Sequence, residues 1–135
     1  MLLDTSGLLC FLDRREYRHS DAATLFAAAP IRLTHNYVLA ELIALAQSRD
    51  LPRTAILDFC RDLTNNPEVR VVWVDQELHN AAFALLQARH DKSWSLCDAV
   101  SFEVMKRNNV LEALSTDHHF TQAGFTQLLS SEVRP

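Results

Sequence analysis

Four carboxylates in this 135-residue chain stand where chemistry would place them. Asp4 ends a short apolar strand, Leu2-Leu3, and Asp117 ends a later one, Ala113-Leu114-Ser115-Thr116. Glu41 falls on the inner stripe of an amphipathic helix, three residues after Val38 and four before Leu45. Asp98 lies in the first turn of a helix that is apolar on almost every side. In open α/β sheets, ligands bind beyond the C-terminal ends of the strands. Carboxylates that converge there repel one another and raise each other's pKa, and a hard divalent cation relieves both effects. Mg²⁺ or Mn²⁺ takes oxygen ligands and keeps several waters. Such an ion activates water near neutral pH and neutralises a phosphoryl oxygen, so the chemistry indicated is phosphodiester hydrolysis. The hydroxyls of Thr5, Ser6, Ser115 and Thr116 can hydrogen-bond the acids or their waters.

Each acid also fits a plainer role. Asp4 and Asp117 could be helix N-caps, a common place for Asp after a strand. Glu41 could meet a buried arginine. Asp98 sits three residues after Ser95, the spacing of a capping box, and on this helix alone capping and ligation stand even. Taken together, four acids at strand ends or on inner helical faces favour the site.

The elements that must position them alternate. A helical turn spans Gly7 to Leu12. A helix runs from Asp21 to Ala29 and stops at Pro30; a strand, Ile31 to Thr34, follows. Helices are expected from Asn36 to Ser48 and from Pro52 to about Asn65. Val69 to Val74 is the strongest strand, β-branched and nearly continuous, as in a strand buried on both faces, with Trp73 in the core. Asp75 caps a long helix with Leu78, Ala82, Leu85 and Leu86 on one face. Next comes the Ser95 helix, with Lys106 and Arg107 at its C-terminal end, where positive charge is favoured. After Asp117, His118-His119 could be metal ligands, but hard-ion chemistry does not need them and His118-His119-Phe120 reads as a structural turn; a last strand runs from Phe125 to Leu129. Alternating strands and helices imply a parallel sheet covered on both faces.

Composition narrows the function. The length suits a single domain, 1–135. Hydrophobic residues make up 48%, against disorder, and the net charge of −4 argues against a protein that coats nucleic acid. The longest apolar run, Ala81 to Leu86, is far short of a membrane span, and Met1-Leu2-Leu3-Asp4 does not open like a signal peptide. Three cysteines, Cys10, Cys60 and Cys97, suit a reducing cytosol rather than a disulfide framework, so a cytoplasmic location is expected. Two glycines, Gly7 and Gly124, are too few for a dinucleotide or Walker loop.

Asp4-Thr5-Ser6, the isolated Glu41 in Leu39-Ala40-Glu41-Leu42, the run from Asp91 to Phe102, and Leu114-Ser115-Thr116-Asp117-His118-His119-Phe120 together resemble the PIN-domain family. Within it, the chain is most similar to VapC-type toxin ribonucleases of toxin–antitoxin pairs. The resemblance covers the whole chain. It implies a three-layer α/β/α fold around a central, mostly parallel sheet of about five short strands. It implies a Mg²⁺- or Mn²⁺-dependent endoribonuclease, with Asp4, Glu41, Asp98 and Asp117 matching the family's four acids, acting on RNA such as tRNA or rRNA. It also implies a homodimer and a small cognate antitoxin that blocks the acid pocket. Cys97 departs from the family, where Thr is common, and puts hydrogen bonding around the ligands in question.

Arg14, Arg15 and Arg18 form a basic cluster that can grip phosphates or stand as a solvated run. Trp94 is open to burial or to stacking on a base. A phosphatase of haloacid-dehalogenase type needs a second Asp two residues after the first, and Ser6 stands there. A receiver domain also has an acid pocket, but it needs a phospho-acceptor Asp and a late-strand Lys, and no convincing pair of these stands here. A catalytically inactive PIN-like module that binds RNA or protein would not need all four acids.

Overall fold

The structure, a computed structural model, describes residues 1–134. Its elements are β1 (Leu2–Leu3), α1 (Thr5–Leu12), α2 (His19–Ala28), β2 (Leu33–His35), α3 (Asn36–Ser48), α4 (Arg53–Asn65), β3 (Arg70–Val72), α5 (Gln76–Ala88), α6 (Leu96–Arg107), β4 (Glu112–Leu114), α7 (His119–Gln122) and β5 (Thr126–Gln127). The strands pair in the order β3-β2-β1-β4-β5, every pair parallel. Strand residues alternate between faces. Leu3 and Leu114 therefore enter the core beneath α1 to α4, while Leu2 and Ala113 enter a second core with residues of α5, α6 and α7. These two cores make the three layers.

Local sequence sets most boundaries. Ser95 and Asp98 form the expected capping box, and Asp75 caps α5 by accepting from Leu78 N at 2.8 Å. His35 caps α3, its Nδ1 accepting from Val38 N at 3.4 Å while Nε2–H donates to Ser101 Oγ at 2.8 Å. Cys10, Cys60 and Cys97 are all free and buried. Among the described residues, no helix is long and apolar enough to cross a membrane.

Three expectations are corrected. The strand at Val69 to Val74 is not buried on both faces. It shortens to β3 at the sheet edge, and Trp73 lies beyond it, 63% exposed. β-Branched residues suit a pleated edge as well as a pleated centre, so composition could not separate the two. The buried stripe of α3 is Val38, Leu39, Leu42 and Ala46, which face α1 and α4, and Leu45 is left exposed. The turn after Asp117 contains a short helix, α7.

Gly7 is required by close approach. A Cβ there would lie 1.8 Å from the Leu114 carbonyl oxygen and 2.5 Å from its carbon, so the first turn of α1 rests on the β4 backbone. Alanine would gain about 1 kcal/mol of helix propensity but must push the strand away. Gly7→Ala is expected to lower unfolding free energy by roughly 2–3 kcal/mol, the cost of overpacking. Urea denaturation checks this; stability equal to the parent's would mean that β4 yields freely.

Candidate active site

Asp4 and Asp117 follow the two strands between which the sheet changes direction. Helices after β1 and β2 cover one face, those after β3 and β4 the other, and β1 and β4 lie side by side with Leu3 opposite Leu114. A crevice opens at such a switch point. Asp4 holds the N-cap position of α1, yet its side chain makes no capping bond. Instead, Ser115 Oγ donates to Asp4 Oδ2 at 2.7 Å and Ser6 Oγ donates to the same oxygen at 3.0 Å. The serines in turn accept from the strand-end backbone, Ser115 Oγ from Asp117 N at 2.9 Å and Ser6 Oγ from Thr116 N at 3.0 Å. Thus Ser6 acts as expected, while Thr116 contributes its amide and Ser115 the second hydroxyl. Asp4 is 4% exposed. Burial raises its pKa to about 7, the two serine hydrogen bonds oppose the rise, and the charge of Asp98 adds to it.

Asp98 makes both of its suggested roles compatible. Its Oδ2 accepts from Ser95 N at 3.0 Å, completing the capping box, and its Oδ1 makes no hydrogen bond among the described residues. Beside it, the Cys97 thiol is pushed up by burial and then by the charges of Glu41, Asp4 and Asp98. The charge of half-buried Glu41 thus reaches the same thiol as those of Asp4 and Asp98. Among the described residues Glu41 has neither a hydrogen bond nor an ion pair, so the buried arginine that would have explained it is not there. Among the described residues Thr5 Oγ1 is the buried side-chain oxygen without a hydrogen-bond partner.

Asp117 is half-buried. Its Oδ1 accepts from His119 N at 2.9 Å and lies 3.2 Å from His119 Nδ1, which is 2.9 Å from Asp98 Oδ2. The sequence offers His118-His119 chiefly as a turn, with metal ligation as the weaker alternative. His119 is held between two of the acids, and its placement two residues after Asp117 was the one local signal. Among the described residues the ligand atoms that lie within 4.8 Å of one another are those of Asp117, His118 and His119, a set that is more open to solvent and partly nitrogen.

The donor set fits a hard divalent ion. Among the described residues, Asp4, Asp98 and Asp117 each spend one oxygen on protein hydrogen bonds and keep the other free. Among the described residues, no Lys or Arg pairs with any of the four acids. The nearby arginines are engaged elsewhere: Arg15 pairs with Asp13 at 3.0 Å and Arg18 with Glu16 at 2.7 Å, leaving Arg14 without an ion pair among the described residues. All three follow α1, about 12 Å of helix beyond Asp4. Trp94 is core: Nε1 donates to Gln122 Oε1 at 3.0 Å and the ring packs edge-on to Phe102.

Comparison with known proteins gives three findings. A family model described as PIN domain matches residues 1–126. Two strains of Mycobacterium tuberculosis, CDC 1551 / Oshkosh and H37Rv, have a protein named 23S rRNA-specific endonuclease VapC20. It is 32% identical over 136 residues, covering 100% of this chain and 98% of the relative. The crystal structure of M. tuberculosis VapC20, described as a sarcin-ricin loop cleaving toxin, superposes with a TM-score of 0.83 at 31% identity, covering 99% of this chain and 98% of that one.

Proposed function

The chain belongs to the PIN-domain family, and on that footing we propose that it is a divalent-metal-dependent endoribonuclease, the toxin of a toxin–antitoxin pair. What supports this reading is the set of three aspartates at the switch point, Asp4, Asp98 and Asp117, which among the described residues have no Lys or Arg partner and one oxygen each without a hydrogen bond, with Glu41 likewise unpaired. Asp4, Glu41, Asp98 and Asp117 would hold the ion, which we take to be Mg²⁺ or Mn²⁺. When bound, such an ion neutralises charge on a phosphoryl oxygen and promotes ionisation of water at neutral pH. The chain's own part is to hold the carboxylates still. Ser6 and Ser115 fix the plane of Asp4, and the capping box fixes Asp98. Burial keeps competing water from Asp4, so its oxygens are available to a ligand and not to bulk solvent.

Similarity to VapC20, whose name specifies 23S rRNA, supports structured RNA, rRNA first and tRNA second, as the substrate class. Arg14, with Arg15 and Arg18, would contact phosphates outside the pocket. From the family resemblance we further propose a cytoplasmic homodimer and a small antitoxin that offers an arginine or lysine to the acids, replacing the charge of the ion. The test is cleavage of rRNA fragments with end-group analysis. Activity should require Mg²⁺ or Mn²⁺ and stop in chelator. The cuts should leave 5′-phosphate and 3′-hydroxyl ends, because the attacking group is water and not the RNA 2′-hydroxyl. Cyclic-phosphate ends, or full activity in excess chelator, would overturn the mechanism.

A further inference from the structure

His119 is held more tightly than a turn residue needs. Its side chain is 16% exposed, and its Nδ1 faces two acceptors, Asp98 Oδ2 at 2.9 Å and Asp117 Oδ1 at 3.2 Å. Because both neighbours accept, Nδ1 carries a hydrogen and shares it between them. Nε2 lies 3.4 Å from Ser93 Oγ, a hydroxyl able to serve either tautomer. Asp98 comes from α6 and Asp117 from the loop after β4, and among the described residues no direct hydrogen bond joins the two elements at this point except through this ring. The far end of α7 is fastened to the same segment, since Gln122 accepts from Trp94 Nε1. The short helix is thus tied at both ends to residues that precede or begin α6. The ring occupies one oxygen of each acid and leaves Asp98 Oδ1 and Asp117 Oδ2 free.

We propose that His119 is a positioning residue: its Nδ1–H bridges Asp98 and Asp117 and sets the separation of their free oxygens, and with it the affinity of the site for a divalent ion. This rests on the nuclease reading above. Groups that orient metal ligands in this way typically contribute 10–100-fold to metal affinity. The ring itself need not touch the ion or the RNA.

Two variants and two measurements test it. His119→Ala removes the bridge, and His119→Asn keeps an N–H donor at a similar reach. In calorimetric titration with Mn²⁺ alone, His119→Ala should bind about 10–100-fold more weakly than the parent, and His119→Asn should recover much of the loss. Cleavage at saturating Mn²⁺ should show a lower kcat with little change in KM for RNA. In the metal-free parent, the His119 imidazole N–H resonance should move in both Asp98→Asn and Asp117→Asn, a readout that stands even if His119→Ala does not fold. Parental Mn²⁺ affinity in His119→Ala, or an Asn variant that folds but binds no better than the Ala variant, would overturn the inference. The two readings fail separately. A resonance indifferent to both aspartates in a protein that cleaves RNA removes the bridge alone. A resonance that responds to both, with the expected Mn²⁺ losses but no cleavage of any RNA, removes the nuclease reading and leaves the bridge.

Discussion

Replacing Asp4 by asparagine is expected to stabilise the metal-free protein near neutral pH while reducing cleavage by orders of magnitude. Asp4 is buried, and burial raises its pKa from 3.8 to about 7 despite hydrogen bonds from Ser115 and Ser6. Between these two values the folded state binds more protons than the unfolded chain, so stability falls as pH rises through this window. At about 1.4 kcal/mol for each pH unit that separates the two values, the cumulative loss approaches roughly 4 kcal/mol above pH 7. Asparagine presents an oxygen to the same two hydroxyls and never ionises, so it should not show this loss. His35 works the other way. It is fully buried, and burial lowers its pKa from 6.5 to about 3. Its contribution is present above pH 6.5 and is lost as pH falls toward 3. In the parent the two slopes oppose one another from about pH 4 to 6.5. In Asp4→Asn only the His35 slope remains, and stability should climb across that range. Urea denaturation in chelator at several pH values from 4 to 8 checks this. Other titrating groups are common to both proteins, so the difference curve isolates Asp4. A difference that does not change with pH would mean that Asp4 is ionised throughout and that burial is not what governs it.

The features of this molecule that depend on neighbours along the chain are legible in its sequence. Ser95 and Asp98 lie three residues apart, and their capping box forms as the spacing demands. Asn36 and Ser48 bound α3 where turn chemistry and periodicity put them. Parallel strand alternation follows from the order of elements. What the sequence hides depends on contacts across the chain. The apolar run that ends at Trp73 cannot reveal whether its strand has one neighbour or two, because strand order is set by crossovers elsewhere. The four-residue α7 is too short to show a period. Thr116 and Ser115 differ by one position, and alternation sends one inward to Asp4 and not the other; only the register of β4 against β1 decides which. His119 reads as a turn residue because one of its two acids, Asp98, is 21 positions away. The same resemblance that marks the acids gives no place to the imidazole between them.

Substituting glutamine for Glu41 is expected to leave the fold intact, shrink the response to metal and cut cleavage by orders of magnitude. Glutamate and glutamine have nearly equal helix propensity and similar shape, and Glu41 lies in the interior of α3, away from either cap. A glutamate paired with a buried cation would lose stability on this change, because the cation would be stranded. Among the described residues Glu41 has no such partner. Its charge instead helps to raise the pKa of the Cys97 thiol, together with those of Asp4 and Asp98. Removing one negative charge from that group relieves repulsion, so metal-free Glu41→Gln should melt no lower than the parent and should melt higher if the repulsion is strong. An ion that binds the folded state alone raises stability with the ratio of its concentration to its Kd, about 2.7 kcal/mol at a hundredfold excess over Kd. Mg²⁺ at a fixed concentration should therefore raise the melting temperature of the parent more than that of the variant. Four melting curves, parent and variant with and without Mg²⁺, run beside an RNA cleavage assay, decide the matter. Lower metal-free stability in the variant would reveal an attractive partner for Glu41. An unchanged Mg²⁺ response with unchanged cleavage would remove Glu41 from the site and leave the three aspartates as its ligands.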